Sequence, residues 1–251
     1  MTMREISEFL QNAGVTHSFY SHWAAAAVSV AFATLARWMR GVTASGAIAG
    51  AVVCFLLIAG GGYGAFAGLV TVYALAWATT RFGYRKKQKL GTAEKREGRT
   101  ASQVLANLAV AALCATSYLI SGQKTVFLLA CVAALAEAAA DTVSSELGQA
   151  SSDKARLITT WEQVPAGTDG AISVAGTLAG VVAAAVVGLV CVFTHLLPWR
   201  WLGNSVIAAV LGMLADSFLG AWLERRGWLN NDAVNFLGTL TAALISVALP
   251  R

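Results

Sequence analysis

The stretch from Ala136 to Gly148 reads A-E-A-A-A-D-T-V-S-S-E-L-G and closes a long apolar run, yet it carries three acids. On a helix, Asp141 shares one face with the residues three, four and seven positions after it. Those residues are Ser144, Ser145 and Gly148. An acid at bilayer depth costs roughly 2.5–3.5 kcal/mol on insertion scales and usually faces a polar interior. The pattern therefore predicts that this face is one wall of a functional site.

A second acid, Asp216, lies in another apolar run, with Gly212 and Gly220 four residues to either side. This small-residue face could be a packing groove in which the carboxylate pairs with an arginine or with backbone. It could instead ligate a divalent metal or form part of a proton path. Carboxylates without histidine favour Mg²⁺. The expected metal ligands are Asp141, Glu146 and Asp216.

The whole chain has the composition of a polytopic helical membrane protein. Its 251 residues are 57% hydrophobic and only 12% charged, with a mean hydropathy of +0.64, whereas a soluble domain is about a quarter charged. The apolar runs are near the ~20 residues that a membrane-spanning helix needs. We therefore predict an all-α bundle of seven to eight transmembrane helices. The candidate spans are 19–38, 42–60, 62–81, 103–121, 124–143, 170–194, 201–224 and 232–249.

We predict a polar N-terminal segment at residues 1–18, followed by one domain over residues 19–251. Two sequence similarities are consistent with a four-plus-four duplication of this domain. The run G-V-T-A-S-G-A-I-A-G-A-V-V from Gly41 resembles G-T-D-G-A-I-S-V-A-G-T-L-A-G-V-V from Gly167, and A-A-D-T resembles L-A-D-S. Helices rich in Gly and Ala also match by chance, so both interpretations stay open.

The basic residues predict the orientation of the bundle. Fourteen of the 18 Lys and Arg residues fall in one set of loops, and loops rich in Lys and Arg remain in the cytoplasm. The two long loops, 82–102 and 144–169, belong to that set. We expect a protein of the plasma (inner) membrane whose site faces the cytoplasm, because function concentrates on loops held by a rigid scaffold.

The basic loop 82–102 offers candidate phosphate ligands. Arg81 and Arg85 are four residues apart, and Arg99 shortly precedes Asn107 in the next span. An arginine side chain can clamp a phosphate with two parallel hydrogen bonds. For the lysines the alternative is a role in topology and in attraction to anionic lipid. Those lysines are Lys86, Lys87 and Lys89, of which we keep Lys86 as a phosphate-binding candidate, together with Lys95.

Two further loops carry polar residues next to predicted helix starts. In T-T-W-E-Q-V-P-A-G-T-D-G, Gly167 permits a tight turn, and Thr168 or Asp169 is expected to cap the following helix. A helix N-terminus also binds phosphate, so capping and ligand binding remain alternatives here. In N-N-D-A-V-N-F the N-cap could be Asn230, Asn231 or Asp232, while Asn235 lies one turn into the helix.

These motifs together resemble one family. The residues that carry the resemblance are A-A-D-T-V-S-S-E-L-G, L-I-T-T-W-E-Q-V-P-A-G-T-D-G-A-I-S, A-D-S-F-L-G-A, N-D-A-V-N-F, T-R-F-G-Y-R-K-K and R-T-A-S-Q-V-L-A-N. They are similar to the integral-membrane family of phytyl-phosphate kinase of the vitamin E pathway and its transmembrane relatives. The resemblance implies transfer of a phosphoryl group from CTP, or another nucleoside triphosphate, to phytyl or geranylgeranyl phosphate, with Mg²⁺ as cofactor.

This function assigns roles to the candidate residues. The catalytic set is Asp141, Glu146, Asp216, Arg81 and Arg85. The nucleotide- and phosphate-binding set is Lys86, Lys95, Arg99, Asn107, Ser144, Ser145, Thr160, Glu162, Gly167, Thr168, Asp169, Ser217, Asp232 and Asn235. The expected partners are an isoprenoid monophosphate and membrane lipids, with no nucleic acid. The alternatives are a lipid or isoprenoid-phosphate transporter that uses the buried acids, and a non-catalytic scaffold. Glu137 has no assigned role.

Overall fold

A computed structural model describes residues 22–122, 124–151 and 154–250. The predicted N-terminal segment, residues 1–18, lies outside these ranges. The described chain is mostly helical, as predicted. Its long helices are α1 at 22–38, α2 at Ala44–Arg81, α4 at Ala101–Ile120, α5 at Val126–Ser151, α6 at Val174–Phe193, α7 at Leu202–Leu219 and α8 at Asn231–Ala248. A short helix α3 spans Tyr84–Leu90, a 3-10 turn at Trp199–Trp201 precedes α7, and a π-helical turn at Gly220–Glu224 ends it.

The helix α2 is folded back on itself at Gly62. The backbone of Gly62 has φ 62° and ψ −159°, which is far from helical geometry. Arg81 is the last residue of α2, and its Nη2 atom lies 2.7 Å from the carbonyl oxygen of Met39, four residues before the N-cap Thr43. Both ends of α2 therefore lie together, whereas a straight 38-residue helix would separate them by about 57 Å. The break falls between the predicted spans 42–60 and 62–81.

The helix α5 is the centre of the bundle. Its residues 128–140 are all buried, and it packs against α2, α4, α6, α7 and α8. Alanine is the main residue type in this stretch, and small side chains let neighbouring backbones approach closely. The central position of α5 brings the face that begins at Asp141 to the inner wall of the bundle.

Five helical segments of the described chain are long and apolar enough to cross a membrane. They are Ala44–Arg81, Ala101–Ile120, Val126–Ser151, Val174–Phe193 and Trp199–Glu224. This agrees with the predicted helical membrane class. The predicted number of seven to eight transmembrane helices is not established by these five segments.

The loop 144–169 is more ordered than the sequence analysis anticipated. The helix α5 continues to Ser151, and three short antiparallel strands follow it in the order β2-β1-β3. They are β1 at Lys154–Leu157, β2 at Gln163–Pro165 and β3 at Ala171–Ile172. This sheet is a small departure from an all-α fold.

The expected cap of α6 was wrong. The N-cap is Ser173, whose hydroxyl accepts a hydrogen bond from the Gly176 amide at 3.1 Å, rather than Thr168 or Asp169. Gly167, at φ +89°, turns the chain early, and the segment after it pairs with β1 before the helix begins. Thr168 instead donates its hydroxyl hydrogen bond to the Pro165 carbonyl.

Candidate functional site

A polar cavity of about 270 Å³ lies at the end of the bundle that carries β1–β3 and the C-terminal turns of α5 and α7. Its walls come from the Asp141 face of α5, the turn between β2 and β3, the π-helical turn after α7 and the first turns of α8. Eleven of the predicted site residues line it. They are Arg99, Asp141, Ser144, Ser145, Glu146, Gly167, Thr168, Asp169, Asp216, Ser217 and Asn235.

The glycine turn between β2 and β3 packs directly onto the π-helical turn. Gly170 has φ +72°, and a Cβ added there would overlap Ala221. On the other side of the cavity, a Cβ on Gly176 would lie 3.1 Å from the Cα of Gly148. Gly148 and Gly170 line the cavity and leave backbone rather than side chain at their positions in its wall, which suits a ligand that bonds to N–H groups.

The buried acid Glu137 lies close to Asp216, which lines the cavity. A Cβ added to Gly238 of α8 would lie 2.6 Å from Glu137 Oε1 and 3.2 Å from Asp216 Oδ2. Both of those oxygens are buried and have no hydrogen-bond partner among the described residues. Gly212 makes room for this arrangement, since its Cβ would lie 2.8 Å from the Cγ of Glu137. Glu137, which had no assigned role, therefore lies beside Asp216.

Glu146 is bound by one cation of the basic loop and by one hydroxyl from the last turn of α2. Lys87 of α3 is fully buried and forms an ion pair with the Oε2 of Glu146. The Lys87 ammonium also donates to the carbonyl oxygens of Thr79 and Thr80, at 3.0 and 2.8 Å. The Thr80 hydroxyl donates to Glu146 Oε1 at 3.0 Å. Lys87 therefore holds the site together through buried contacts. Its position in a run of basic residues did not predict this role.

The acids fit a magnesium ion that also binds phosphate. No three acids, histidines or cysteines in the described residues are close enough to hold a metal by themselves. Mg²⁺ in phosphate-transfer sites uses one or two carboxylates and takes its other ligands from phosphates and water. Asp141 and Asp216 both line the cavity, and Asp216 Oδ2 has no partner. Glu146 is bound to Lys87, so the two aspartates are the better ligands.

Arg99 joins the polar cavity to a second, apolar groove. Its backbone is bound to the segment before α2, with Arg99 N–H donating to Gly41 and Thr43 N–H donating to Arg99, at 3.1 and 2.9 Å. Its guanidinium donates to the Thr142 hydroxyl at 3.4 Å, one residue after Asp141. Arg99 and Glu94 line both cavities. A ligand in the groove would therefore meet the polar cavity at Arg99.

The apolar groove has a volume of about 370 Å³ and runs between α1, both halves of α2 and α4. Its walls are aliphatic and aromatic, with Phe32, Leu69 and Val104 among them. Of the predicted residues, Arg81, Lys95 and the buried Asn107 line this groove instead of the polar cavity. The amide of Asn107 donates to the Gln103 carbonyl at 2.9 Å.

The sequence matches a known protein family over most of its length. The match covers residues 27–243 and the family is described as integral membrane protein DUF92. The chain belongs to this family. That membership confirms the resemblance inferred from the motifs, and it confirms that the chain is a membrane protein.

Relatives of this DUF92 protein occur in archaea and plants. An uncharacterized membrane protein of Methanocaldococcus jannaschii is 36% identical, over 80% of this chain and 83% of its own. Protein VTE6, chloroplastic, of Arabidopsis thaliana is 31% identical, over 85% of this chain and 66% of its own. Protein PGR of Arabidopsis thaliana is 29% identical, over 87% of this chain and 92% of its own. No solved structure matches the chain.

Some predicted residues of the DUF92 protein lie outside both cavities. Arg85 is exposed on α3, and Lys86 does not line either cavity. Thr160 and Glu162 bond to each other at 3.3 Å in the exposed turn between β1 and β2. Asp232 lies in the first turn of α8, whose N-cap is Asn230.

The sequence analysis also missed residues that do line the polar cavity. These are chiefly Glu224, Gln149 and Asn231. Asn231 had been considered only as a helix cap, and Glu224 follows an apolar stretch with no motif of its own. Glu224 is the last residue of the π-helical turn after α7, and π-helical turns of this kind are often found at functional sites.

Proposed function

We propose that this DUF92 protein is a membrane kinase that transfers the terminal phosphoryl group of CTP to phytyl or geranylgeranyl phosphate, giving the diphosphate. The observation that carries the proposal is the polar cavity, in which Asp141 and Asp216 face Arg99 and a glycine-rich turn. The similarity to VTE6, together with the motif resemblance to phytyl-phosphate kinase, supports the choice of reaction.

The reaction needs positioning and charge neutralisation more than acid–base groups. An oxygen of the acceptor monophosphate attacks the γ-phosphorus and forms a new P–O bond, while the bond to the β–γ bridging oxygen breaks and CDP leaves. The acceptor is already largely ionised near neutral pH, since the second pKa of a phosphate monoester is about 6. No histidine lies among the described residues that line the polar cavity, which agrees with this chemistry.

Each group of lining residues has a task in this proposal. Asp141 and Asp216 hold Mg²⁺, which when bound neutralises the nucleotide phosphates. The backbone amides of the turn around Gly167 and Gly170 bind phosphate oxygens. Arg99 lies where the two cavities join and binds the acceptor phosphate or the group being transferred. The Lys87–Glu146 pair holds α3 against α5, so it positions the basic loop.

We also propose that the cavity faces the cytoplasm of a plasma membrane, where CTP is available. The basic residues of loop 82–102 lie at the same end of the bundle as the cavity, which suits a cytoplasmic end. In this topology the two halves of α2 each cross the membrane, with Gly62 at the outer turn, and α1 and α8 complete eight spans.

The direct test is incubation of purified protein with labelled CTP, ATP, GTP or UTP and with phytyl, geranylgeranyl or farnesyl phosphate. We expect Mg²⁺-dependent formation of the prenyl diphosphate, with CTP the preferred donor. Mg²⁺ and CTP should also raise the melting temperature, because a ligand that binds only the folded state stabilises it. Movement of the lipid across vesicles without nucleotide consumption would support the transporter instead. No diphosphate and no thermal shift would contradict the kinase.

A glycine variant tests the positioning of Arg99. Gly98 has φ +86°, and a Cβ there would overlap the backbone of Gly41 and Val42, in the segment whose residues Gly41 and Thr43 are hydrogen-bonded to the Arg99 backbone. Gly98→Ala should therefore shift Arg99 and lower kcat by about 10-fold or more, since misplacement by about 1 Å can cost 100-fold.

Gly91→Ala is the matched control for Gly98→Ala. Gly91 has a similar φ of +75°, but a Cβ there meets nothing within 4 Å. Both variants carry the cost of a left-handed residue, about 1–2 kcal/mol. The melting curve of Gly91→Ala measures that cost, and any additional loss of stability in Gly98→Ala measures the overlap with Gly41 and Val42. Equal kcat values for the two variants would show that the contact with Gly41 and Val42 does not position Arg99.

A further inference from the structure

The apolar groove has the dimensions of a site for one lipid chain. From Arg81 at its mouth to Leu69 is twelve residues of α2, or about 18 Å at 1.5 Å per residue. The hydrocarbon core of a bilayer is about 30 Å thick, so the groove reaches roughly half-way across. Its volume of about 370 Å³ lies within the usual range of ligand pockets.

The mouth of the groove is strongly cationic. Its lining includes five basic residues and a single acid, Glu94. The basic residues are Arg40, Arg81, Lys95, Arg96 and Arg99. The groove therefore combines apolar walls with a cationic mouth, and this combination complements a molecule with an apolar tail and an anionic head.

Arg81 is held in place at this mouth rather than left free in solvent. Its guanidinium donates to the carbonyl oxygens of Met39 and Trp77, at 2.7 and 3.3 Å, and lies 4.1 Å from the ring centroid of Trp77. Arginine has five N–H donors, so these two bonds leave others for a ligand. A pre-positioned guanidinium loses less entropy when it binds a phosphate.

We infer that the groove between α1, α2 and α4 binds the acceptor of the proposed reaction, a single-chain lipid phosphomonoester. The tail lies along Leu69, Val72 and Phe32, and the phosphate lies between Arg81 and Arg99. This inference rests on the proposed function for the reaction that follows, but the binding itself needs no nucleotide. Arg99 then presents the head group to the polar cavity, where Asp141 and Asp216 lie.

The connection at Arg99 favours this occupant over a membrane phospholipid. The common membrane phospholipids have two chains, and their head groups are phosphodiesters, which are not acceptors for formation of a prenyl diphosphate. Both cavities share Arg99 and Glu94, which places the head of a groove ligand next to the acids. A phospholipid in this position would obstruct the polar cavity without being able to react.

Gly50 offers a substitution that fills the groove without disturbing the helix. Gly50 lines the groove, and a Cβ added there meets nothing within 4 Å. Gly50→Leu should lower the affinity for tritiated geranylgeranyl phosphate about 10-fold or more in equilibrium dialysis of purified protein. The thermal shift produced by Mg²⁺ and CTP should stay at the wild-type value.

Gly203→Leu is the control, because Gly203 of α7 also has open space around its Cβ position and lies outside both cavities. It should bind geranylgeranyl phosphate as the wild type does. Wild-type affinity in Gly50→Leu would overturn the assignment of the groove. So would equal loss of affinity in both leucine variants.

The head group and the number of chains are tested separately. Arg81→Met should weaken binding of geranylgeranyl phosphate about 10-fold and leave binding of geranylgeraniol unchanged. If Arg81→Met weakens the binding of geranylgeranyl phosphate and geranylgeraniol equally, or of neither, the phosphate does not lie at the mouth of the groove. Competition by dioleoyl phosphatidic acid as effective as that by unlabelled geranylgeranyl phosphate would contradict a single-chain site.

These measurements separate the groove from the kinase activity. If no diphosphate forms but Gly50→Leu still binds geranylgeranyl phosphate more weakly than the wild type, the groove assignment holds and the kinase proposal fails. If diphosphate forms and Gly50→Leu has wild-type KM and affinity, the kinase proposal holds and the tail binds elsewhere.

Discussion

Replacement of Asp141 by Asn is expected to lower the rate of phosphoryl transfer by about 10²- to 10³-fold, the usual cost of removing one electrostatic group from a reaction site. Asp141 lines the polar cavity one turn above the buried Glu137 and one residue before Thr142, which binds Arg99. Asparagine has nearly the same shape but no charge, so it cannot balance Mg²⁺ or hold Arg99 electrostatically. The fold should persist, because the side chain faces a cavity rather than a packed core.

The measurement is single-turnover transfer from labelled CTP to geranylgeranyl phosphate, with the melting temperature recorded for the same preparation. Glu97→Gln is a suitable control, since Glu97 is an exposed acid of the basic loop that lines neither cavity. It should transfer phosphate at the wild-type rate. Near wild-type activity in Asp141→Asn, with a normal melting curve, would remove Asp141 from the site.

Replacement of Lys87 by Met should destabilise the protein by about 3–5 kcal/mol, the range found when one partner of a buried ion pair is removed. The Lys87 side chain has no solvent exposure and the Glu146 side chain is only 14% exposed. Without Lys87, the Glu146 carboxylate keeps a single hydrogen bond, from Thr80, and the carbonyls of Thr79 and Thr80 lose their common donor. The short helix α3 should detach from α5, and activity should fall with it.

Thermal unfolding in detergent checks this result, with Lys89→Met as the control, because Lys89 is exposed on the same helix. The control should unfold at the wild-type temperature. The double variant Lys87→Met, Glu146→Gln should recover part of the loss, since it leaves no uncompensated charge. A Lys87→Met protein as stable as the Lys89→Met protein would mean that the pair contributes nothing to stability.

The local parts of the site could be predicted because they depend on spacing along one element. The face of Asp141, Ser144, Ser145 and Gly148 follows from helical periodicity, and all four residues line one cavity. The break at Gly62 lies where the sequence places a turn between two apolar runs. The polar residues around Gly167 also line the cavity. They could be predicted as a tight turn because the glycines and the proline of this segment favour a turn independently of the residues that pack against it.

The remaining features depend on contacts between residues that are distant in the sequence, and composition and periodicity give no information about such contacts. Lys87 and Glu146 are 59 residues apart, and one cation in a run of several gives no sign that it is the buried one. The strands β1–β3 are two to four residues long, too short for a repeating pattern. The strands occupy the chain before α6, which begins at Val174 with Ser173 as its N-cap. Thr160 and Glu162 lie in the exposed turn between β1 and β2, away from the cavity.

The central place of α5 has a consequence for the biogenesis of the protein. Glu137 is covered by Gly212 of α7 and Gly238 of α8, and both helices follow α5 in the chain and are therefore synthesised after it. Until they arrive, α5 exposes a carboxyl group whose insertion costs roughly 2.5–3.5 kcal/mol. A chain that ends before α8 would keep that group uncovered. The last helix therefore completes the covering of Glu137 within the bundle.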